Sequence, residues 1–101
     1  MIRVTQNKGF SLTFDNGLTI SVQIGHGNYC TNRDNSKPYK SEQSQEITEC
    51  SNAEIAIWDE NNKWFSFGND VVKGWVSVVE VGMWIDKVRR AKSIKTIKRV
   101  K

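Results

Sequence analysis

The stretch FSLTFDNGLTISVQI, residues 10–24, constrains the fold more than any other part of the chain. Apolar residues alternate with polar ones on both sides of Asn16-Gly17, at Phe10, Leu12 and Phe14 before it and at Leu18, Ile20, Val22 and Ile24 after it. This period of two is typical of strands with one buried face, and Asn-Gly is typical of a type I′ turn, in which both central residues have a positive φ. The sequence therefore predicts an antiparallel hairpin that turns at Asn16-Gly17.

A second hairpin is predicted over residues 53–68, AEIAIWDENNKWFSFG. Ile55 and Ile57 point one way, Trp58 points the other way, and residues 59–63 form the turn before a returning strand at 64–67. Trp58 and Trp64 flank that turn, so we expect a cross-strand aromatic pair. Trp58, Trp64 and Trp75 are interface candidates, since tryptophan often dominates binding energy. Most of the chain's four tryptophans are nevertheless expected to serve the core, with one, Trp58 or Trp64, partly exposed near the hairpin end.

The apolar period then changes to that of a helix. Ser77 followed by Glu80 is a capping box, and the residues Val78, Val81, Trp84, Ile85 and Val88 fall on one helical stripe. These signals predict a helix over about residues 78–91. Farther on, apolar residues recur every three positions, which leaves a frayed helix, an extended arm or a short strand open for residues 93–101.

Together these elements predict an α+β protein in which one C-terminal helix packs on an antiparallel sheet of about four strands, arranged as two hairpins. The 101 residues form a single domain, 1–101, with a folded body over about residues 3–92 and a basic tail over 93–101. Because no apolar run is long enough to span a membrane, we expect a cytoplasmic protein with no membrane contact.

The net charge of +4 hides a strong asymmetry. Residues 87–101 contain eight basic residues and no acid, whereas residues 1–86 contain seven basic and eleven acidic residues. The basic set is Lys87, Arg89, Arg90, Lys92, Lys95, Lys98, Arg99 and Lys101. Such a cluster attracts phosphate, so it predicts a polyanion or nucleic-acid site. Two alternatives stay open: a solvated helix end that complements the helix dipole, or a contact with another protein or with a second subunit in a homo-oligomer.

The only histidine, His26, lies between two glycines, but the sequence around it contains no nucleophile motif, carboxylate pair or phosphate-binding loop. We therefore expect a structural histidine and no catalytic residue. Cys30 and Cys50, together with His26, leave a structural zinc site one ligand short. Two free thiols are expected instead, with a disulfide as the alternative, and the sequence predicts no metal and no cofactor.

The long polar segment from residue 25 to 51 interleaves aromatic and basic side chains at Tyr29, Arg33, Lys37, Tyr39 and Lys40. That combination suits a nucleotide-like ligand, with its base stacked between a ring and a guanidinium group and its phosphates on the cations. A solvated loop is the alternative. With Trp58 and Trp64, which could act as anchors for a partner, these residues are the candidate binding set.

The segments FSLTFDNGLTISVQIGHGNYC, AEIAIWD and GWVSVVEVGMWI resemble a small uncharacterised protein family encoded by tailed bacteriophages and prophages. The resemblance extends over about residues 10–85 and excludes the lysine-rich tail. It implies expression in an infected bacterium, where such small proteins bind host machinery or counter host defence. It implies no activity and no catalytic residue.

From the residues and this resemblance, we expect a non-enzymatic phage accessory protein that acts by binding in the bacterial cytoplasm. Its expected role is to inhibit host defence, through a host protein or through a sequestered nucleotide signal. A mimic of DNA is disfavoured, because such mimics need a dense acidic surface and this chain has a basic isoelectric point. The alternative is a small nucleic-acid-binding protein that uses the basic C-terminal segment.

Overall fold

Five strands form one antiparallel sheet in which each strand pairs with its neighbours in sequence. The computed structural model describes residues 1–6, 8–34 and 48–97. The strands are β1 (Ile2–Thr5), β2 (Gly9–Thr13), β3 (Thr19–Gln23), β4 (Asn52–Trp58) and β5 (Val72–Ser77). They are followed by the helix α1 (Val78–Arg90) and a short 3₁₀ helix (Ile94–Thr96). The predicted α+β class is confirmed.

The hairpin of β2 and β3 is confirmed, but its predicted turn type is wrong. Thr13 pairs with Thr19, and the hydrogen bond between Phe14 and Leu18 closes a three-residue loop, 15–17, in which only Gly17 has a positive φ, at 84°. A two-residue loop would place Phe14 opposite Thr19, whereas here the Phe14 N–H donates to the Leu18 carbonyl oxygen (2.9 Å). Since opposite residues share a face, the observed register keeps the apolar side chains together and overrides the preference of Asn-Gly for a type I′ turn.

Asn16 has a second function in this loop, which is to hold the end of α1. Its side-chain Nδ2 donates to the carbonyl oxygens of Val88 (2.8 Å) and Ala91 (2.7 Å), and its Oδ1 accepts from the Leu18 N–H (3.0 Å). The last carbonyls of a helix have no partner within it. Asn16 supplies that partner and so joins the first hairpin to the C-terminal end of α1.

The sheet has one strand more than the predicted four, and its last strand is not the predicted one. Strand β1 pairs with β2 along the edge of the sheet, but its apolar residues are exposed, Val4 at 85%. Its short alternation therefore marks no buried face, which is why the sequence pattern did not reveal it.

On the side away from β3, β4 pairs with β5 and not with the predicted returning strand at 64–67. Trp64 forms a single bridge to Trp58, and the Phe65 N–H donates to the Ile57 carbonyl oxygen (2.8 Å). Beyond that point the chain leaves the sheet, because Phe65 and Phe67 pack in the core against Trp84, with ring centroids 5.8 and 5.2 Å away.

The helix α1 is confirmed, with Ser77 as its N-cap: the Ser77 hydroxyl accepts from the Glu80 N–H (3.2 Å). Trp84 and Val88 are its fully buried residues and lie on the sheet. The 3₁₀ helix then brings Ile94 and Ile97 into the same core. The folded body therefore extends beyond the predicted boundary near residue 92 to at least Ile97, whereas residues 98–101 lie outside the described residues.

The core lies on the helix side of the sheet, where the inward side chains of the strands meet α1 and the segment that carries Phe65 and Phe67. Its buried members are Leu18, Ile20, Val22, Ala53, Ile55, Ile57, Phe65, Val76, Trp84, Val88, Ile94 and Ile97. Helix α1 starts where β5 ends and finishes beside the β2–β3 loop, about 20 Å away by its rise per residue. It therefore separates two ends of the molecule. Within the described residues, no helix is long and apolar enough to cross a bilayer.

Candidate functional site

Two aromatic side chains and an arginine form an exposed cluster where β5 passes the loop that follows β3. The rings of Tyr29 and Trp75 lie 5.7 Å apart, centroid to centroid, at 37°. The guanidinium carbon of Arg33 lies over the Tyr29 ring, 4.4 Å from its centroid. Trp75 is the most exposed aromatic residue described, at 57%. We call Tyr29, Arg33 and Trp75 the aromatic end.

The backbone at Trp75 is strained. Its φ is 50°, in the left-handed region that costs an L-residue about 1–2 kcal/mol. The strand pairing of β4 with β5 is irregular just here, between Ala53 and Ile55. The strain is held in place by a hydrogen bond from the Trp75 N–H to the Tyr29 carbonyl oxygen (2.8 Å).

Gly74 allows the two segments to come this close. A Cβ at this position would lie 2.6 Å from the Cβ of Tyr29, well inside van der Waals contact. On the other side, the Glu54 carboxylate accepts from the Tyr29 N–H (2.9 Å) and from the Asn28 side chain (3.1 Å). The backbone of Tyr29 is thus held by a backbone hydrogen bond from β5 and by the Glu54 side chain of β4, so the aromatic end does not depend on ring packing alone.

The two cysteines stand next to the aromatic end, and both are free thiols as expected. The segments that carry them are joined by hydrogen bonds, from the Thr31 N–H to Asn52 Oδ1 (2.8 Å) and from Asn32 Nδ2 to the Glu49 carbonyl oxygen (3.0 Å). Burial raises the pKa of Cys30 to about 11. Partial burial also acts to raise the pKa of Cys50, but hydrogen bonds to backbone groups, first those of Asn52 and Asn32, outweigh it and lower that pKa below its ordinary value.

His26 lies in the turn that leads into this loop, where its carbonyl oxygen accepts from the Asp34 N–H (3.0 Å). Its Nδ1 is buried and has no hydrogen-bond partner among the described residues. In the part of the chain that the structure describes, no three His, Cys, Asp or Glu side chains are grouped so that they could hold a metal ion.

At the other end of α1, basic side chains surround the helix C-terminus. Asp86 accepts a hydrogen bond from Arg89 (2.6 Å) and lies 3.4 Å from Arg90, and the Arg89 hydrogen bond holds the pKa of Asp86 below its usual range. Lys87 and Lys92 line a shallow groove of about 710 Å³ that also includes Arg90 and Ile97.

A second, smaller groove shares the lining residue Ile97 with the first. It measures about 250 Å³ and is lined by Trp64 together with Lys63, Lys95 and Ile97. Both grooves lie beside the short 3₁₀ helix, whose residues line each of them. Trp64 stacks on Trp58, with centroids 4.8 Å apart, and remains 44% exposed. We call the set Lys63, Trp64, Lys87, Lys92 and Lys95 the basic end.

The structure brings only some of the sequence-predicted residues together. Tyr29 and Arg33 are in contact, and Lys37, Tyr39 and Lys40 lie outside the described residues. Trp58 and Trp64 form the expected pair, at the opposite end of the molecule from Tyr29. Of the basic residues, Lys87, Arg89, Arg90, Lys92 and Lys95 are described, and Lys98, Arg99 and Lys101 lie outside the described residues.

Sequence reasoning counts Trp75 among three interface candidates but favours Trp58 or Trp64 as the exposed tryptophan, whereas the structure leaves Trp75 more exposed than Trp64, at 57% against 44%. The apolar run around it, VVKGWVSVV, fits a strand or a helix by composition alone. Gly74 was the available signal, because a glycine inside a strand indicates a bulge or a close backbone approach. Comparison of the chain with protein-family models, with curated proteins and with solved structures found no match.

Proposed function

We propose that the protein acts by binding, without catalysis, and that its aromatic end binds a protein partner. In the setting implied by the resemblance to tailed-phage proteins, that partner is a bacterial host protein and the binding inhibits host defence. The observation that carries this proposal is the exposed Trp75, held in a left-handed conformation beside Tyr29 and Arg33.

Tryptophan, tyrosine and arginine are the residue types that most often dominate the binding energy of protein interfaces. Here one of each lies in a single exposed cluster whose backbone is fixed by hydrogen bonds. Backbone strain of this kind persists only where the surrounding structure enforces it, and it is concentrated at functional sites. An anchor that is already ordered loses less conformational entropy when the partner binds.

A protein suits this end better than the nucleotide-like ligand that the sequence also suggested. Arg33 already lies over the Tyr29 ring, so a base could stack there only by displacing the guanidinium group. Exposed apolar side chains at the start of α1, Val78 at 70% and Val79 at 82%, follow directly after β5. With Trp75, they leave three large apolar side chains exposed within residues 75–79, which is typical of a surface that contacts another protein.

The test compares capture of bacterial proteins by the wild-type chain and by Trp75→Ala. We expect a bacterial protein, identified by mass spectrometry, to be retained by the wild type and lost by the variant. In titration calorimetry with that purified protein, Trp75→Ala should weaken binding by about 30-fold or more, as expected for a central anchor. Arg33→Ala should weaken binding by a smaller factor.

Lys63→Ala is the matched control, because it changes an exposed residue at the basic end and leaves the aromatic end intact. It should bind the partner as the wild type does. A wild-type chain that retains no protein which Trp75→Ala loses, or a partner whose affinity falls equally for Lys63→Ala, would contradict the proposal.

A further inference from the structure

We propose that the basic end is a second and separate site, which binds single-stranded nucleic acid with Trp64 as the surface on which a base stacks. This inference does not rest on the protein-binding role of the aromatic end. It rests on the position of an exposed tryptophan in a groove whose rim is cationic.

The cations come from two distant parts of the sequence and meet at one place. Lys63 lies in the connection between β4 and β5, whereas Lys95 lies in the 3₁₀ helix, and both line the Trp64 groove. Lys87 and Lys92 line the neighbouring groove, which shares Ile97 with the first. Cationic side chains therefore line both grooves, on the two sides of Ile97.

Among the acidic groups near these lysines, Asp59 lies beside Lys63, where its Oδ1 accepts from the Asn61 and Lys63 N–H groups of its own turn (both 2.9 Å). Asp86 lines the larger groove, but its carboxylate is taken by Arg89 and Arg90. Lys63, Lys87, Lys92 and Lys95 form no salt bridge with any described residue. The Val88 and Ala91 carbonyl oxygens at the end of α1, which carry partial negative charge, accept hydrogen bonds from the Asn16 side chain. They are therefore not directed at a bound phosphate.

The exposed ring of Trp64 favours single-stranded over duplex nucleic acid as the ligand. In a duplex the base faces are covered by their neighbours, whereas in a single strand a base can stack on an exposed ring while the backbone phosphates contact lysines. Trp64 stacks on Trp58, which fixes its orientation, and 44% of its surface remains exposed. DNA and RNA offer the same chemistry at this site, so both are included in the test.

The experiment uses the full chain and fluorescein-labelled homopolymers of thymidine and uridine, each about 12 nucleotides long, with a duplex of the same length. Fluorescence anisotropy should show binding to the single strands and at least about tenfold weaker binding to the duplex near 100 mM salt. Affinity should fall by about tenfold or more between about 50 and 200 mM salt if two to three phosphates are contacted.

Two variants separate stacking from charge. Trp64→Ala should weaken single-strand binding by about fivefold or more, and Trp64→Phe should restore most of it, because phenylalanine also stacks. Lys95→Glu removes a cation without touching the Trp58–Trp64 pair, and it should weaken binding by about fivefold near 100 mM salt.

Arg3→Glu is the matched control, since it makes the same change of charge on β1, at the far edge of the sheet. It should alter affinity by less than about twofold. If binding depended only on the overall positive charge, Arg3→Glu would weaken it as much as Lys95→Glu does. Duplex binding as tight as single-strand binding, unchanged affinity in Trp64→Ala, or equal effects of Arg3→Glu and Lys95→Glu would each overturn the proposal. None of these outcomes bears on Trp75.

Discussion

The two ends of the molecule present aromatic and cationic side chains by different physical means. At the aromatic end, the backbone itself is specialised: Trp75 has a left-handed φ, and Gly74 lies in contact with Tyr29. At the basic end, ordinary backbone carries long lysine side chains around a groove, and the helix terminus is closed by the Asn16 side chain. A fixed shape suits a partner of fixed shape, whereas mobile cations suit a flexible polyanion.

The first prediction tests whether the aromatic end depends on backbone contact more than the basic end does. Gly74→Ala should lower the free energy of unfolding by about 2–3 kcal/mol, because its Cβ would lie 2.6 Å from the Cβ of Tyr29 and neither backbone can move freely. Gly17→Ala should cost only about 1 kcal/mol, from its positive φ. The Cβ there meets the end of the Glu60 side chain, which can rotate away.

Urea unfolding followed by tryptophan fluorescence measures both values. If Gly74→Ala lowers the free energy of unfolding no more than Gly17→Ala does, the loop that carries Tyr29 is free to move. The contrast between a fixed end and an adaptable end would then be wrong.

The second prediction concerns the closure of the basic end. Asn16→Ala should lower the free energy of unfolding by about 1.5 kcal/mol, since it removes the donors to the Val88 and Ala91 carbonyl oxygens. Thermal or urea unfolding measures the loss.

Asn16→Asp is the informative comparison for this position. Aspartate could still accept from the Leu18 N–H, as Oδ1 does now, but it cannot donate to the helix carbonyls. Its charge would also lie at the negative end of the helix dipole. It should therefore destabilise the protein at least as much as alanine does, and a near-neutral effect would show that Asn16 serves only its own turn.

The sequence predicted the elements whose pattern is local. The alternation in residues 10–24 and the Ser77–Glu80 cap both give the right element, because each depends on neighbours in the chain. The pairing of β4 with β5 depends instead on where Phe65 and Phe67 are buried. That packing around Trp84 is tertiary, and no spacing in the sequence reveals it.

The candidate sites follow the same division. Tyr29 and Arg33 are recognisable as candidates because they belong to one polar segment that interleaves aromatic and basic residues. The addition of Trp75 requires the register of β5 on β4, which its run of valines does not specify. The turn at Asn16 shows the converse: its Asn-Gly signal is strong and local, yet a tertiary contact with α1 and the register of the hairpin decide its conformation.

The last prediction leaves the fold unchanged and uses the two thiols to report how well ordered the loop beside Tyr29 is. The alkylating species is the thiolate. The pKa of Cys50 is lowered and that of Cys30 is raised to about 11, so near pH 8 a larger fraction of Cys50 is ionised. Allowing for the lower intrinsic reactivity of a more acidic thiol, iodoacetamide should modify Cys50 at least about tenfold faster than Cys30. As the pH rises, the Cys50 rate should level off below pH 9, the ordinary value for a cysteine, and the Cys30 rate should continue to rise towards pH 11.

Peptide mass spectrometry after timed quenching measures both rates, and in urea the two cysteines should react alike. Equal rates in the folded protein would mean that the backbone donors around Cys50 are not held in place, and the aromatic end would then be no more ordered than the basic end.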